Sequence, residues 1–233
     1  MRFGGNAPVS THLNHLEKGM STFKNSEGAV IIDRMITAIQ ENKQSLSDID
    51  GLIGDGDHGV NMNKGFSMCR TELDKAPGDL AYSALTLSKI LIMKIGGSMG
   101  PLYGKMFRGF AKELEGKEEI DLQTMVSALE AMLSSVHSIS TALPGDKTLV
   151  DALAPAVEAI KAAAKEGKEF EEALDEMKAA AIVGRDSTKD MVARLGRASR
   201  LGERSRGVLD AGASSCCLLL ETLANTTKQL LKS

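Results

Sequence analysis

Apolar residues recur at helical spacing along most of this chain, and that periodicity restricts the fold more than any other feature. One helix face from about residue 27 collects Val30, Ile31, Met35, Ile36 and Ile39. Comparable runs predict further helices, which start near residue 61 or 62 and then cover about 80–95, 102–114, 121–139, 148–165, 168–183, 186–195 and 212–231. No run of about four to eight β-branched residues between turns predicts a strand. The sequence therefore predicts an all-α bundle or helical barrel of about eight helices.

Nothing in the sequence divides the chain into separate units. It shows no internal repeat and no low-complexity linker, so we predict a single domain over residues 26–233. The segment before it, residues 1–25, is polar and contains Gly, Asn and Ser, and we expect it to lie loosely on the surface.

Charge and cysteine content exclude several classes of protein. The 28 basic and 31 acidic residues give a net charge of −3, so no global basic field indicates nucleic-acid binding. No apolar run approaches the roughly 18–20 residues of a membrane span, and we expect neither a membrane association nor a signal peptide. Cys69, Cys216 and Cys217 form neither a Cys-x-x-Cys pair nor an even framework, which is typical of a cytoplasmic protein.

Three carboxylates lie close together in one interhelical segment. Asp50, Asp55 and Asp57 alternate with glycines that allow the segment to fold them toward one point. At 4 Å, each pair of charges costs about 1 kcal/mol in bulk water and about 4 kcal/mol at an effective dielectric constant of 20. The trio therefore either binds a hard cation, with Mg²⁺ favoured over Ca²⁺, or stays splayed as a solvated turn. An EF-hand is excluded by spacing, since its twelfth position counted from Asp55 is Phe66.

Two further segments suit phosphate. Residues 96–101, Gly-Gly-Ser-Met-Gly-Pro, precede a helical run, where free backbone N–H groups could approach an anion; a tight turn is the alternative. Residues 196–206 contain four arginines, which suit phosphate oxygens or form a solvated basic loop. Residues 145–148, Gly-Asp-Lys-Thr, predict a plain helix start. The combination of an acidic segment, a glycine segment and an arginine segment is what a nucleoside-phosphate site requires.

These segments, in this order, resemble the nucleotide-binding L subunit of dihydroxyacetone kinases. The likeness is carried by residues 53–62, 96–104, 145–148 and 196–198 with 210–213, and it spans about residues 30–231. The resemblance implies a closed barrel of eight antiparallel helices that holds ADP or ATP with two Mg²⁺ ions at one end.

The resemblance also assigns individual residues. It implies that Asp50, Asp55 and Asp57 bind the metals and so carry the catalysis. The implied nucleotide contacts are His58, Gly59, Asn61, Gly97, Ser98, Met99, Ser140, Leu149, Arg197, Asp210 and Gly212. Two of these depart from the family pattern, because Met99 stands where a small residue is usual and Ser140 where a glycine is usual.

The implied activity is phosphoryl transfer in a kinase of two or three components. The γ-phosphoryl group of ATP, or of ADP rephosphorylated in place, passes to dihydroxyacetone or a similar short ketose on a separate K subunit. The expected partners are that K subunit and, for rephosphorylation, a phosphotransferase-system phosphodonor; self-association is left open. Two alternatives remain: a nucleotide-sensing interaction protein without kinase turnover, and an inert helical module whose acidic segment is only solvated.

Overall fold

The computed structural model describes residues 21–232, and within them α-helix dominates as the apolar periodicity predicts. The helices are α1 Ala29–Ile53, α2 His58–Lys75, α3 Leu80–Lys94, α4 Met99–Leu114, α5 Leu122–His137, α6 Val150–Lys165, α7 Phe170–Ser187 and α8 Ala211–Leu230. Two 3₁₀ segments, Thr188–Asp190 and Arg197–Ser205, lie between α7 and α8. The strands β1 Phe23–Lys24 and β2 Glu119–Ile120 pair antiparallel.

The eight helices form a closed ring. Each helix packs on the next one along the chain, and α8 packs on α1. The core that they enclose takes buried apolar side chains from every helix, among them Ile36, Phe66, Leu87, Phe107, Met132, Ile160, Met177 and Leu223. Burial of each such side chain contributes about 1.5–3 kcal/mol, so the shared core, rather than helix propensity, holds the ring together. The predicted all-α barrel of about eight antiparallel helices is confirmed.

The antiparallel course of the ring decides where a site can form. The ends of α1, α3, α5 and α7 and the starts of α2, α4, α6 and α8 meet at one end of the barrel. That end therefore receives all four of the segments that are rich in Gly, Asp and Arg. Loops on such a rigid scaffold are suited to binding.

The opposite end of the barrel is closed by the start of the described chain. Residues 1–20 of the segment predicted to be loose lie outside the described residues, but residues 23–25 are held in place. Phe23 is only 3% exposed and pairs with Ile120. The Asn25 amide donates to the backbone oxygens of Leu114 at 3.0 Å and Lys117 at 2.9 Å. The expectation of a loose surface segment is therefore wrong for these residues.

The segment after α7 also differs from the prediction of a helix over 186–195. Helix α7 ends at Ser187, one 3₁₀ turn follows, and the chain becomes extended at Met191. Backbone oxygens that a longer helix would use internally are instead turned toward the side chain of Lys147. Within the described residues, no helix is both long and apolar enough to cross a membrane.

Candidate functional site

A cavity of about 960 Å³ opens at the end of the barrel where the four segments rich in Gly, Asp and Arg meet. All but one of the predicted site residues line it: Asp50, Asp55, Asp57, His58, Asn61, Gly97, Ser98, Met99, Ser140, Leu149, Arg197, Asp210 and Gly212. Residues far apart in sequence thus contribute to one volume, which is large enough for a ligand of nucleotide size.

Gly59 is the predicted contact that does not line the cavity. It is buried within the first turn of α2, where a side chain would collide with the backbone oxygen of Lys43 on α1. The hydroxyl of Ser47 lies against the same position. Gly59 therefore allows α2 to pack closely on α1, and its role as a direct nucleotide contact stays a prediction.

The acidic trio of Asp50, Asp55 and Asp57 is compact. One carboxylate oxygen from each lies within 4.8 Å of the others. Asp50 extends from the last part of α1, and its Oδ2 accepts a hydrogen bond of 3.3 Å from the backbone N–H of His58. A side chain at Gly54 would collide with the Asp50 carboxylate, so glycine is needed for the close approach of the loop.

Arg197 offsets part of this negative charge. Its guanidinium forms an ion pair with the Asp55 carboxylate, and among the ion pairs of residues 21–232 it is the only one that reaches the trio. Three carboxylates facing one guanidinium leave an excess of negative charge in a small volume. Clustered hard oxygen donors of this kind fit Mg²⁺, which is bound by carboxylates together with substrate phosphates.

The starts of α2 and α4 supply the opposite polarity. Neither helix has a side-chain hydrogen bond from its N-cap residue, Asp57 or Ser98 respectively. Backbone N–H groups in the first turn of α4 thus remain available for an anion. Gly97, which has a φ of +71°, has no atom within 4 Å of the position that a Cβ would take. A phosphate could therefore approach this backbone directly.

The start of α8 is capped differently. The Asp210 carboxylate accepts a hydrogen bond of 2.7 Å from the N–H of Ala213. Desolvation raises the pKa of Asp210 to about 7, despite the opposing effects of that hydrogen bond and of Lys147. Asp210 thus carries a partial charge near neutral pH, in contrast to an ordinary surface aspartate.

Met99 and Ser140, the two residues that depart from the family pattern, lie on the less polar side of the cavity. Leu149, before α6, is 5% exposed, and Met99, at the start of α4, is 9% exposed. The Ser140 hydroxyl accepts a hydrogen bond of 3.2 Å from the N–H of Ala142, which stabilises its own turn. This side of the cavity could accept a flat apolar group such as a base.

A buried chain of hydrogen bonds behind the cavity was not anticipated from the sequence. His58 Nε2 lies 2.8 Å from Ser215 Oγ, which lies 2.6 Å from the Tyr103 hydroxyl, and that hydroxyl also contacts the Gly212 oxygen at 2.9 Å. Burial lowers the pKa of His58, so the imidazole is neutral at pH 7. These hydrogen bonds fix the imidazole ring of His58 through Ser215 on α8 and Tyr103 on α4.

Residues 145–151 do more than begin a helix. The N-cap residue of α6, Leu149, provides no side-chain hydrogen bond, but the Thr148 hydroxyl accepts one of 3.2 Å from the N–H of Val150. The buried Asp151 carboxylate in turn accepts hydrogen bonds from the N–H groups of Gly145 at 2.5 Å and Thr148 at 2.7 Å. Lys147 is also buried, and the only sequence signal for this is an unusual density of polar residues before an apolar run.

Exposed apolar side chains surround the cavity mouth. Leu52, Met93, Ile139, Leu143 and Leu195 lie at or just beyond the ends of α1, α3, α5 and α7. Met93 is 74% exposed and Leu52 67% exposed. A concentration of apolar surface beside a polar cavity is typical of a protein interface.

Fold and site together define an α-helical barrel whose anion- and cation-binding groups converge on a cavity at one end. The model of one family, the DAK2 domain, matches residues 52–225. The chain is 39% identical over 189 residues to the Listeria innocua protein "PEP-dependent dihydroxyacetone kinase 1, ADP-binding subunit DhaL", which covers 81% of this chain and 89% of that protein. It is 30% identical to D-erythrulose kinase from Mycolicibacterium smegmatis, over 83% of this chain but only 34% of that protein.

Among solved structures, the dihydroxyacetone kinase from C. freundii in complex with AMP-PNP and Mg²⁺ has the same fold. Its TM-score is 0.62 at 22% identity, and the match covers 97% of this chain and 38% of that chain. The chain belongs to the DAK2-domain family, as a relative of the DhaL subunits of dihydroxyacetone kinases. These kinases are phosphotransferases with an alcohol group as acceptor.

Proposed function

We propose that this chain is the nucleotide- and magnesium-binding subunit of a ketose kinase. The observation that carries the proposal is the convergence of the acidic trio, the uncapped start of α4 and Arg197 on one cavity. The names of the relatives support it, since the Listeria protein is called an ADP-binding subunit and the C. freundii structure contains AMP-PNP and Mg²⁺.

The acidic trio would hold two Mg²⁺ ions. Asp50, Asp55 and Asp57 offer oxygens that lie close enough together to bind the same cations. Mg²⁺ held by these carboxylates would supply positive charge that offsets the negative charge developing on the phosphates during transfer. Gly54 lets the α1–α2 connection pass close to the Asp50 carboxylate, which helps to bring the trio together.

The rest of the cavity would bind the nucleotide. Gly97, Ser98 and Met99 offer backbone N–H groups to the phosphates, and Arg197 adds a guanidinium. Leu149 and Ser140 would border the base, while His58, Asn61, Asp210 and Gly212 complete the wall near α2 and α8. The phosphoryl group passes directly to the acceptor hydroxyl, so these residues act by orientation and charge compensation, without a protein nucleophile.

The acceptor would come with a partner. We propose that a ketose-binding K subunit docks on the apolar rim of Leu52, Met93 and Leu143, excluding water from the cavity mouth. Dihydroxyacetone is the first candidate, and the similarity to a D-erythrulose kinase makes a four-carbon ketose the second. The name of the Listeria relative favours phosphate derived from PEP, with ADP rephosphorylated in place by a phosphotransferase-system protein, over exchange with free ATP. Both reactions would occur in the cytoplasm, in keeping with three free buried cysteines.

A nucleotide sensor without turnover is the second candidate, favoured by the bulk of Met99 at the head of α4. The two functions are separated by co-purifying the chain with the product of its genomic neighbour. A panel of short ketoses is then assayed with Mg²⁺ and either ATP or PEP with the phosphotransferase-system phosphodonor proteins. The kinase proposal predicts ketose phosphorylation that Asp55→Asn and Asp57→Asn abolish. Asp48→Asn, an exposed change on α1, is the matched control. Tight Mg·ADP binding without transfer to any ketose would favour the sensor.

A further inference from the structure

Lys147 occupies an unusual position for a lysine. The residue is 2% exposed and has a φ of +62°, and among residues 21–232 it is the only non-glycine residue with a positive φ. Its ammonium group donates to the backbone oxygens of Thr188 at 2.6 Å, Met191 at 3.3 Å and Val208 at 2.5 Å. The three N–H bonds of one ammonium group are therefore matched by three carbonyl oxygens.

The three acceptors belong to the two ends of one excursion of the chain. We call residues 188–210 the arginine loop; they leave the barrel after α7 and return to it at α8. Thr188 and Met191 lie on its outgoing side, and Val208 lies on its returning side. Other bonds also join these sides. Gly207 N–H donates to the Lys189 oxygen at 2.7 Å, Asp210 N–H donates to Thr188 Oγ1 at 3.0 Å, and the Arg206 guanidinium donates to the Asp190 oxygen.

Lys147 connects the base of this loop to the segment before α6. Farther along the loop, the Arg194 N–H also donates to the Asp146 oxygen at 3.2 Å, and its guanidinium pairs with the Asp146 carboxylate at 3.5 Å. Burial acts against the charged form of Lys147, as does Arg206, whereas Asp210, Asp151 and Asp190 favour that form. An ammonium group is retained there although desolvation lowers the pKa of Lys147. A buried charge costs free energy, and so does a left-handed backbone at a residue other than glycine. Because Lys147 makes no contact with the acidic trio, these costs indicate a role beyond packing.

Arg197 lies within the arginine loop and reaches Asp55 of the trio. Within the loop, Ala193 N–H donates to Ser205 Oγ at 2.9 Å, and Ser205 Oγ donates to the Gly202 oxygen at 2.6 Å, so the loop has internal order once its base is fixed. We infer that Lys147 is a positioning residue for Arg197, because it ties both sides of the arginine loop to the start of α6. This inference rests on the proposed function, in which Arg197 contributes to Mg·ADP binding.

Titration calorimetry with ADP in the presence of Mg²⁺ tests the inference on five proteins: wild type, Lys147→Met, Arg197→Ala, the double variant, and Lys189→Met. Lys189 is an exposed lysine of the same loop and serves as the matched control. We expect Lys147→Met and Arg197→Ala each to weaken ADP binding about tenfold or more. The double variant should bind within about twofold of Arg197→Ala alone, since the two residues act as one unit. Lys189→Met should match wild type.

Two results would overturn the inference. One is unchanged ADP affinity in Lys147→Met; the other is a second, full loss of affinity when Lys147→Met is added to Arg197→Ala, which would mean a general effect on the cavity. Lys147→Gln keeps two N–H donors and replaces the methionine variant if that one does not fold; the same double-variant comparison then applies.

Failure of the proposed function itself gives a different pattern. If wild type does not bind Mg·ADP, the proposed function is wrong. The anchoring of the loop is then measured by hydrogen exchange. Peptides within residues 191–207 should exchange at least about tenfold faster in Lys147→Met than in Lys189→Met, while α3 and α4 stay unchanged. Equal exchange in the two variants would overturn the anchoring role.

Discussion

The guanidinium of Arg197 forms an ion pair with the carboxylate of Asp55, and this contact joins the arginine loop to the acidic trio across the cavity. Both side chains are largely in solvent, at 63% and 41% exposure. An exposed pair of this kind contributes little to folding, because water screens it. Its value therefore lies in placing a positive charge beside the carboxylates that would bind the metal and phosphates.

That separation of roles gives the first prediction. Arg197→Ala should change the free energy of unfolding by less than about 1 kcal/mol, or about 2–4 °C in Tm. Thermal unfolding in a magnesium-free buffer measures this. A loss of 8 °C or more would contradict the account, since it would make the ion pair a structural support.

The second prediction concerns pH. Desolvation places the pKa of Asp210 at about 7, above its usual value of 3.8. Because the folded pKa is the higher one, the stabilising contribution is complete below pH 4 and is lost as the pH rises through 7. Between pH 6 and 8, wild type should lose about 1 kcal/mol, or about 2–4 °C in Tm, relative to Asp210→Asn. Asparagine retains an oxygen that can accept the Ala213 N–H. Parallel pH profiles of Tm for the two proteins would refute the prediction.

The third prediction concerns the hydrogen-bond chain behind the cavity. Ser215→Ala leaves the buried groups of His58 and Tyr103 without their shared partner. We expect a loss of about 1–3 kcal/mol in the free energy of unfolding, with weaker ADP binding. Denaturant titration and calorimetry measure the two effects. Ser214→Ala is the control, because its hydroxyl bonds only to the Asp210 oxygen of its own helix, and it should cost less than about 0.5 kcal/mol. Equal effects of the two substitutions would contradict the proposed role of Ser215.

The fourth prediction separates packing from ligand contact at Gly59. Gly59→Ala would bring a methyl group against the backbone of α1 and should cost about 1–3 kcal/mol or more in the free energy of unfolding. At Gly51, on α1, the nearest atom to an added Cβ is 3.9 Å away. Gly51→Ala should therefore stabilise the protein by about 0.5–1 kcal/mol. A Gly59→Ala protein of normal Tm that no longer bound ADP would contradict the packing role and support Gly59 as a direct ligand contact.

Features with a local pattern were predictable from the sequence. Helical periodicity identified the barrel helices, and the close spacing of Asp50, Asp55 and Asp57 in the sequence identified the acidic trio. The resemblance added Leu149 and Asp210, which no local pattern marks as cavity residues.

The unpredicted features depend on contacts between distant parts of the chain. Ser215 and Tyr103 lie on predicted apolar helices, and only the closed ring brings them to His58. Lys147 meets its three acceptors across the gap between α6 and the arginine loop, and those contacts end the helix predicted over 186–195. Gly59 belongs to a ligand-binding motif, but the close packing of α2 on α1 leaves no room for a side chain at this position.

A crystal grown with ADP and Mn²⁺ in place of Mg²⁺ tests the central claim most directly, because anomalous scattering locates each metal ion. The account predicts two anomalous peaks bounded by Asp50, Asp55 and Asp57, each about 2.0–2.3 Å from a carboxylate oxygen and in contact with the diphosphate. Nucleotide bound with no anomalous peak there, and the three carboxylates turned apart into water, would contradict it.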